Sequence, residues 1–214
     1  MNLPKPFDRF VFNHRLEKTL RHFVENPADL PMVTCFYGYA GLGKTSFAKE
    51  YSSRFAYHTD YHAMNEKGSG NFSEAFKKSL YMNRRAMSLY DAVRGAEDGK
   101  PFESITILDE FHNIPPSKQD YFKTVFDNLR ERDRVIICLN TKGNKPVDAF
   151  LTEPIWSRSH CIDFNTMNMD AKDYVDRLLT RFDALHRHEI HSYLPDIRRI
   201  ERENDLRKKM EALI

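Results

Sequence analysis

Short apolar runs recur along this chain and are separated by stretches with helical spacing. The runs Met32–Tyr37, Ser104–Leu108 and Val135–Leu139 contain five or six residues each and are rich in β-branched or aromatic side chains. This length and composition favour strands that are buried on both faces. Residues 161–164 indicate a fourth strand, and the ambiguous segment 55–64 is long enough to hold another.

Apolar residues with helical spacing occur between these runs. Leu16, Leu20 and Phe23, for example, give one apolar face to the segment that precedes the first strand. A capping box formed by Ser117 and Asp120 is expected to start the helix that follows two prolines. Helices are predicted over residues 14–25, 45–51, 72–94, 117–129, 170–182 and 197–214.

The order of these elements indicates the fold class. Strands that alternate with helices predict an α/β fold, in which helices flank a central parallel sheet on both faces. After the last predicted strand the chain is helical to its end. We therefore expect an α/β core over residues 1–164 and a small C-terminal helical lid over residues 165–214.

The composition suits a soluble protein with one α/β domain and a small appendage. The chain has 214 residues, of which 41% are hydrophobic and 30% charged. No apolar run approaches the roughly 18 residues of a membrane-spanning helix, and the N-terminus lacks the apolar segment of a secretory signal. Cys35, Cys138 and Cys161 lie in apolar runs, which favours buried thiols. A cytoplasmic protein in a reducing compartment, without a membrane partner, is expected.

One segment carries a specific signature for binding phosphate. Residues 38–45 fit the pattern G-x-x-x-x-G-K-S/T at every fixed position, between a predicted strand and a predicted helix. Glycines let the backbone wrap around phosphate oxygens, and N–H groups at a helix start attract anions. Lys44 would place a cation on the β- and γ-phosphates, and Thr45 would offer its hydroxyl to Mg²⁺. The predicted nucleotide-binding residues here are Gly38, Tyr39, Ala40, Gly41, Leu42, Gly43, Lys44, Thr45 and Ser46.

Two carboxylates follow another predicted strand. Asp109 and Glu110 come directly after Leu108, at the edge of the sheet where parallel strands end beside the phosphate loop. Asp109 is predicted to hold Mg²⁺ through water, and Glu110 to polarise the attacking water. Asn140 ends the next strand, where its amide could reach the γ-phosphate or that water; a turn-forming asparagine is the alternative. The adjacent glutamate is typical of machines that hydrolyse ATP with an activated water.

Taken together, these motifs resemble those of the AAA+ ATPases. Within that class they are most similar to clamp-loader ATPase subunits, such as phage-type loaders and the small subunits of replication factor C. Residues 38–45 are similar to Walker A, residues 105–110 to Walker B, and Asn140 to sensor 1. The segment 109–112 is similar to the D-E-x-D/H form that is common in this group. The resemblance covers nearly the whole chain and implies the P-loop NTPase fold.

The resemblance also implies roles for residues outside the two strong motifs. Residues 155–161 resemble the S-R-C motif, with two residues inserted between the arginine and the cysteine, so Arg158 would be the finger sent to a neighbour's ATP. Arg198 would be the sensor 2 arginine, and Val11 and Phe12 would belong to the adenine pocket. The catalytic residues are thus expected to be Glu110, Asp109, Lys44, Asn140 and Arg158, with Thr45 and Asp109 as ligands of Mg²⁺.

The implied function is that of an ATP-hydrolysing AAA+ subunit in a DNA replication machine, with ATP and Mg²⁺ as cofactors. Its implied partners are other AAA+ subunits, a sliding clamp and primer–template DNA. The net charge of +2 does not by itself indicate a protein that binds DNA through strong electrostatic attraction. Clamp-loader subunits continue into a helical collar, whereas this sequence ends at Ile214. That difference favours a helicase loader or another DNA-remodelling AAA+ ATPase as the alternative. A nucleotide-switched binding module with negligible hydrolysis and a small-molecule kinase are further alternatives.

Overall fold

The computed structural model describes residues 3–64, 99–141, 146–165 and 171–212. The helix predicted over residues 72–94 therefore lies outside the described residues. The strands are β1 (Val33–Gly38), β2 (Ala56–Ala63), β3 (Phe102–Asp109), β4 (Asp133–Asn140) and β5 (His160–Asp163). The helices are α1 (His14–Glu25), α2 (Lys44–Phe55), α3 (Pro116–Asp127), α4 (Glu153–Trp156), α5 (Ala171–Arg181), α6 (Arg187–Tyr193) and α7 (Ile197–Glu211).

The described strands form one five-stranded sheet in the order β2–β3–β4–β1–β5, and each neighbouring pair is parallel. β1, β3, β4 and β5 begin and end within two residues of the apolar runs that predicted them, and β2 lies within the ambiguous segment 55–64. The predicted α/β fold with a central parallel sheet is thus confirmed. The register pairs Gly38 with Asn140 and Ala63 with Asp109. The carboxyl ends of these strands therefore meet at one edge of the sheet, where the candidate site lies.

Apolar clusters cover both faces of the sheet, which explains why its central strands β1, β3 and β4 are mostly apolar and buried. Along β4, Ile136 and Cys138 belong to the cluster under α1 and α2, whereas Val135, Ile137 and Leu139 belong to the cluster under α3 and α4. This alternation follows from the two-residue period of a strand. The sheet is consequently held from both sides, and its edge is a rigid support for the loops that leave it.

An aromatic cluster supports the start of α2. The ring of Phe47 is 1% exposed, and its centroid lies between 5.3 and 6.5 Å from those of six neighbours. These neighbours are Phe7, Phe10, Phe12, Phe36, Tyr51 and Phe164. Because Phe47 follows Lys44 by one helical turn, the cluster also fixes the helix that carries the phosphate loop.

Replacing Phe47 with Ala is expected to lower the free energy of unfolding by about 3–5 kcal/mol, because the surroundings cannot refill the cavity. Urea denaturation of both proteins measures the change. Leu206→Ala is the matched control, since this leucine is 49% exposed on α7 and its loss should change the free energy by less than about 0.5 kcal/mol. Equal effects of the two substitutions would refute a stabilising role for the aromatic cluster.

The start of α3 differs from the prediction. The helix begins at Pro116, one residue before Ser117, and Pro115 at its N-cap makes no side-chain hydrogen bond. The predicted capping box of Ser117 and Asp120 is therefore wrong. Proline suits the first helical position because its φ is already helical and it has no N–H to leave unsatisfied. Ser117 is thus inside the first turn, where its hydroxyl does not cap the helix.

Helices α5, α6 and α7 enclose a third apolar cluster. Its buried members are Tyr174, Val175, Leu178, Phe182, Leu185, Ile190 and Ile200. Val11, from the segment before α1, packs against this cluster, and Arg177 of α5 forms an ion pair with Glu17 of α1. The C-terminal helices therefore have a core of their own, and they contact both the segment before α1 and α1 itself.

The three cysteines are free thiols. Cys35 and Cys138 are buried, as predicted, whereas Cys161 on the edge strand β5 is half-buried. Within the part of the chain that the structure describes, the helices are too short or too polar to cross a membrane.

Candidate functional site

The phosphate loop connects β1 to α2. Gly43, which precedes α2, has φ 82° and ψ 8°, a left-handed conformation that glycine adopts without steric cost. Since Gly43 has no side chain that could cap the helix, the first N–H groups of α2 are left for an anion. The local geometry therefore matches the phosphate-binding role that the glycine pattern predicts.

Lys44 lies under this loop with only 5% of its surface exposed. Its Nζ donates hydrogen bonds to the backbone carbonyls of Gly38 at 2.9 Å and Tyr39 at 2.6 Å. Burial lowers the pKa of the Lys44 ammonium from 10.5 to about 8, although the Glu110 and Asp109 carboxylates act in the opposite direction. The positive charge of Arg198 lowers this pKa further. The candidate lysine thus titrates just above neutral pH.

ATP affinity is expected to weaken as the pH rises through about 8, the pKa of Lys44. The sign follows from the lowered pKa: the ammonium that attracts phosphate is present below this pH and is lost above it. The limiting slope is about tenfold per pH unit if only the ammonium form binds. Titration with a fluorescent ATP analogue between about pH 6.5 and 9.5 measures the effect. Lys44→Arg is the control, because its guanidinium stays charged; a flat profile for the wild type would contradict the prediction.

Asp109, at the end of β3, is held by three hydrogen-bond donors. Thr45 Oγ1 donates to its Oδ1 at 2.9 Å, the backbone N–H of Glu110 donates to the same oxygen at 3.0 Å, and the Tyr61 hydroxyl donates to Oδ2 at 2.7 Å. Desolvation and the adjacent Asp109 carboxylate both raise the pKa of the Tyr61 phenol, which therefore keeps its proton. The structure thus brings together the two predicted ligands of Mg²⁺, Thr45 and Asp109.

Glu110 has a left-handed backbone conformation, with φ 55° and ψ 35°. Such a conformation costs a non-glycine residue about 1–3 kcal/mol, and residues that adopt it cluster at functional sites. The Nδ2 atom of Asn140 lies 3.0 Å from both carboxylate oxygens of Glu110, and His112 Nε2 lies 3.2 Å from Oε2. Because the Asn140 backbone N–H donates to His112 Nδ1 at 3.3 Å, we assign the proton of a neutral imidazole to Nε2. Asn140 and His112 together therefore orient the Glu110 carboxylate.

A cavity of about 240 Å³ lies between the phosphate loop, the N-terminal segment and the C-terminal helices. Predicted nucleotide-binding residues line much of it: Val11, Phe12, Gly41, Leu42, Gly43, Ser46 and Arg198. Phe182 and Ile197 line it from the C-terminal side, and the guanidinium side chain of Arg198 is 75% exposed. The volume is below the roughly 300–1,000 Å³ of pockets for complete ligands. It therefore suits a base whose phosphates extend along the loop.

Two polar residues that the sequence did not single out contact the phosphate loop. Asn165 Oδ1, just after β5, accepts a hydrogen bond from the backbone N–H of Tyr39 at 2.8 Å. Asp196, the N-cap of α7, lies so close to Gly41 that an added Cβ would be 2.7 Å from its Oδ1 and 3.0 Å from its Cα. Gly41 is thus required by a close approach between the loop and α7.

Arg158 contacts a different part of the chain. Its Nε and Nη2 donate to the two carboxylate oxygens of Asp127 at 2.6 and 3.2 Å, and its Nη1 donates to the Pro154 carbonyl at 2.9 Å. These partners belong to the end of α3 and to α4, not to the phosphate loop or the acidic pair. The other predicted catalytic residues, Lys44, Asp109, Glu110 and Asn140, do meet at the sheet edge.

Neither Tyr61 nor the contact of His112 was predicted from the sequence. A signal for Tyr61 did exist, since it lies near the end of the ambiguous segment 55–64, which is long enough to hold a strand. It was not usable because the pairing of β2 with β3 is not visible in either segment alone. Tyr61 thus comes from a neighbouring strand, whose position only the sheet order defines.

Residues 34–159 match the model of the ATPase family associated with various cellular activities (AAA). The chain belongs to this family. No curated protein matches this AAA protein. The family match includes the phosphate loop, the acidic pair, Asn140 and Arg158, and it ends before the C-terminal helices.

Solved structures of the same fold include two kinds of DNA-related proteins. The RuvB Holliday junction branch migration motor of Thermotoga maritima has a TM-score of 0.52 and 17% identity, and the match covers 84% of this AAA protein and 54% of RuvB. AMPPCP-bound DnaA from Aquifex aeolicus has a TM-score of 0.57 and 19% identity, over 94% of this chain and 64% of that one. The replication initiator DnaA bound to AMPPCP and single-stranded DNA has a TM-score of 0.57 and 19% identity, over 92% and 61%. This AAA protein thus spans less than two thirds of each neighbour, and the likeness extends to the fold alone.

Proposed function

We propose that this AAA protein binds ATP with Mg²⁺ and hydrolyses it with a water molecule that Glu110 activates. One observation carries the proposal: three chain segments meet at a single edge of the sheet. Thr45 donates to Asp109 at 2.9 Å, and the neighbouring Glu110 accepts from the Asn140 amide at 3.0 Å. A hydroxyl, an acid, a base and an amide are therefore grouped beside a loop that suits phosphate.

Thr45 and Asp109 fit Mg²⁺, because a hydroxyl and a carboxylate in direct contact are the hard oxygen ligands that this ion prefers. Thr45 would hold the ion directly and Asp109 through water. When bound, Mg²⁺ supplies positive charge that offsets the charge on the phosphate oxygens.

The other groups of the site would bind the phosphates and activate the water. Lys44 and the loop amides would bind the phosphates, and Glu110 would activate the water. Lys44 donates to two neutral carbonyls, and charged phosphate oxygens are stronger acceptors for the same ammonium. Glu110 would take a proton from water while the water oxygen forms its bond to the γ-phosphorus and the bond to the ADP oxygen breaks. The proton then passes from Glu110 to phosphate or solvent. Asn140 and His112 support this role by fixing the carboxylate of Glu110.

The helices after residue 165 are proposed to act as a lid over the base. Their separate apolar cluster, their contribution to the 240 Å³ cavity and the approach of Asp196 to Gly41 support this division at residues 164 and 165. Arg198 is proposed to sense whether phosphates are bound. It lines the cavity, and its positive charge lowers the pKa of Lys44.

Arg158 is proposed to serve the ATP site of a neighbouring subunit. Its guanidinium contacts Asp127 and Pro154, and its side chain is 29% exposed. To contact the phosphate of ATP in a neighbouring subunit, the Arg158 guanidinium must leave the Asp127 carboxylate and bind the phosphate instead. Assembly with other AAA+ subunits would then control turnover, because a finger arginine contributes about 10³–10⁵ in rate.

The proposed setting is DNA replication, with a sliding-clamp loader as the first candidate, on the resemblance of residues 109–112 and 155–161. Primer–template DNA and a sliding clamp are the partners that this candidate implies. A helicase loader or another DNA-remodelling ATPase is the second candidate. The solved neighbours favour it, since RuvB is a branch migration motor and one DnaA structure contains single-stranded DNA.

ATP turnover and native mass test the proposal together. The purified protein is assayed with and without primer–template and single-stranded DNA, and its mass is measured with and without ATP. We expect hydrolysis that chelation of Mg²⁺ abolishes, and oligomers that form with ATP. Binding without hydrolysis under every condition would instead support the nucleotide-switched module, and phosphate transfer to a metabolite would support a kinase. Capture of a sliding clamp or of a replicative helicase separates the two replication roles.

A further inference from the structure

Tyr61 connects the edge strand β2 to the acidic pair. The register pairs Ala63 with Asp109, and Tyr61 lies two residues before Ala63 on the same strand. Side chains two residues apart on a strand share a face, so Tyr61 is on the face to which Asp109 belongs. Its hydroxyl donates to Asp109 Oδ2 at 2.7 Å.

The two oxygens of Asp109 therefore have different partners. Oδ1 accepts from Thr45 and from the Glu110 backbone, whereas Oδ2 accepts from Tyr61. Asp109 is 8% exposed, so these donors, together with the surrounding residues, determine the rotation of its carboxylate. The hydrogen bond from Tyr61 to Oδ2 keeps Oδ1 turned towards Thr45. Asp109 and Thr45 are the two residues that would hold the metal together.

Helix α2 also fixes the ring of Tyr61. Thr45 and Lys49 are four residues apart on α2 and therefore lie on the same side of the helix. Lys49 Nζ lies 3.7 Å from the centroid of the Tyr61 ring, within the range of a cation–π contact. Helix α2 thus contacts Asp109 directly through Thr45. Through Lys49 it also contacts the ring of Tyr61, whose hydroxyl donates to Oδ2 of Asp109.

We infer that Tyr61 is a positioning residue for Mg²⁺: its hydroxyl, held by the Lys49–ring contact, orients the Asp109 carboxylate for the ion. This inference rests on the proposed binding of ATP with Mg²⁺. Residues that orient a metal ligand change metal affinity by about 10–100-fold when they are replaced. Tyr61→Phe, which keeps the ring and its contact with Lys49, is expected to raise the Mg²⁺ concentration at half-saturation about tenfold.

The test measures binding and not activity. A fluorescent ADP analogue is titrated onto the wild type, Tyr61→Phe and Tyr57→Phe, first with EDTA and then across a series of free Mg²⁺ concentrations. Tyr57→Phe is the matched control, because Tyr57 lies on the same strand and its ring is 5.9 Å from Arg132. Lys49→Met, which removes the cation above the ring, is expected to shift the Mg²⁺ midpoint in the same direction by a smaller factor.

The expected result is equal affinity of all proteins for the analogue in EDTA, with a raised Mg²⁺ midpoint for Tyr61→Phe. An unchanged midpoint overturns the inference, and so does an equal loss of affinity with and without Mg²⁺, which indicates a purely structural role. A wild type that binds the analogue without any dependence on Mg²⁺ overturns the inference together with the metal site of the proposed function. The first two results would overturn only the role of Tyr61, whereas the third would also overturn the proposed metal site, so the two cases can be told apart.

Discussion

Replacing Glu110 with Gln is expected to lower ATP turnover by about 10²–10⁴-fold while ATP binding is retained. The amide has the shape of the carboxylate but does not accept a proton from water at neutral pH. Glu110 lies beside Asp109, and its carboxylate contacts Asn140 and His112. The substitution therefore removes the base and leaves the loop, Lys44 and the candidate metal ligands in place.

The measurement combines steady-state release of phosphate with direct titration of ATP. Glu103→Gln is the matched control, because Glu103 lies on the same strand, β3, and contacts Arg130 at 3.7 Å instead of the site. Its turnover should equal that of the wild type. Full turnover by Glu110→Gln would mean that another group activates the water, and a loss of ATP binding would mean that the glutamate supports the nucleotide and not the chemistry.

Replacing Arg158 with Ala is expected to lower the turnover of the assembled protein by about 10³–10⁵-fold, if the arginine serves the neighbouring site as proposed. ATP binding by the variant should be unchanged, because the guanidinium contacts Asp127 and Pro154 and not the phosphate loop. The ion pair with Asp127 lies at the surface, so its loss should leave the unfolding midpoint nearly unchanged. A large loss of turnover, with unchanged ATP binding and an unchanged unfolding midpoint, is therefore the result that an arginine finger predicts.

Mixing variants tests whether Arg158 acts across a subunit boundary. Subunits with Arg158→Ala keep an intact Glu110, and subunits with Glu110→Gln keep an intact Arg158. Each variant should be nearly inactive alone, and their mixture should regain part of the wild-type turnover. Arg130→Ala, which removes another exposed arginine, is the control. A mixture that stays inactive, or an Arg158→Ala variant with wild-type turnover, argues against the finger.

Local sequence was sufficient to predict the phosphate loop and the central strands β1, β3 and β4. The motif at residues 38–45 specifies a conformation through its own glycines and a charge through its own lysine, so no distant residue is needed to recognise it. The buried strands were equally predictable, because a strand covered on both faces must be apolar at almost every position. The helix start at Pro116 was missed because a proline can either end one segment or begin the next.

The contacts that complete the site were beyond local sequence. Tyr61 reaches Asp109 across 48 residues, and Asn165 reaches Tyr39 across 126. Each contact depends on which elements are neighbours, and the strand order β2–β3–β4–β1–β5 does not follow the order of the chain.

The amino-acid sequence by itself determined the α/β frame and predicted the chemistry within it: a loop for phosphate, an acid for a metal and a base for water. Only the tertiary structure decided which groups orient those residues, namely Tyr61 on Asp109, Asn140 and His112 on Glu110, and Asp196 against Gly41. The reason is physical. Periodicity and motifs are set by neighbours along the backbone, whereas the direction of a side chain in a site is set by groups that packing brings from elsewhere in the chain.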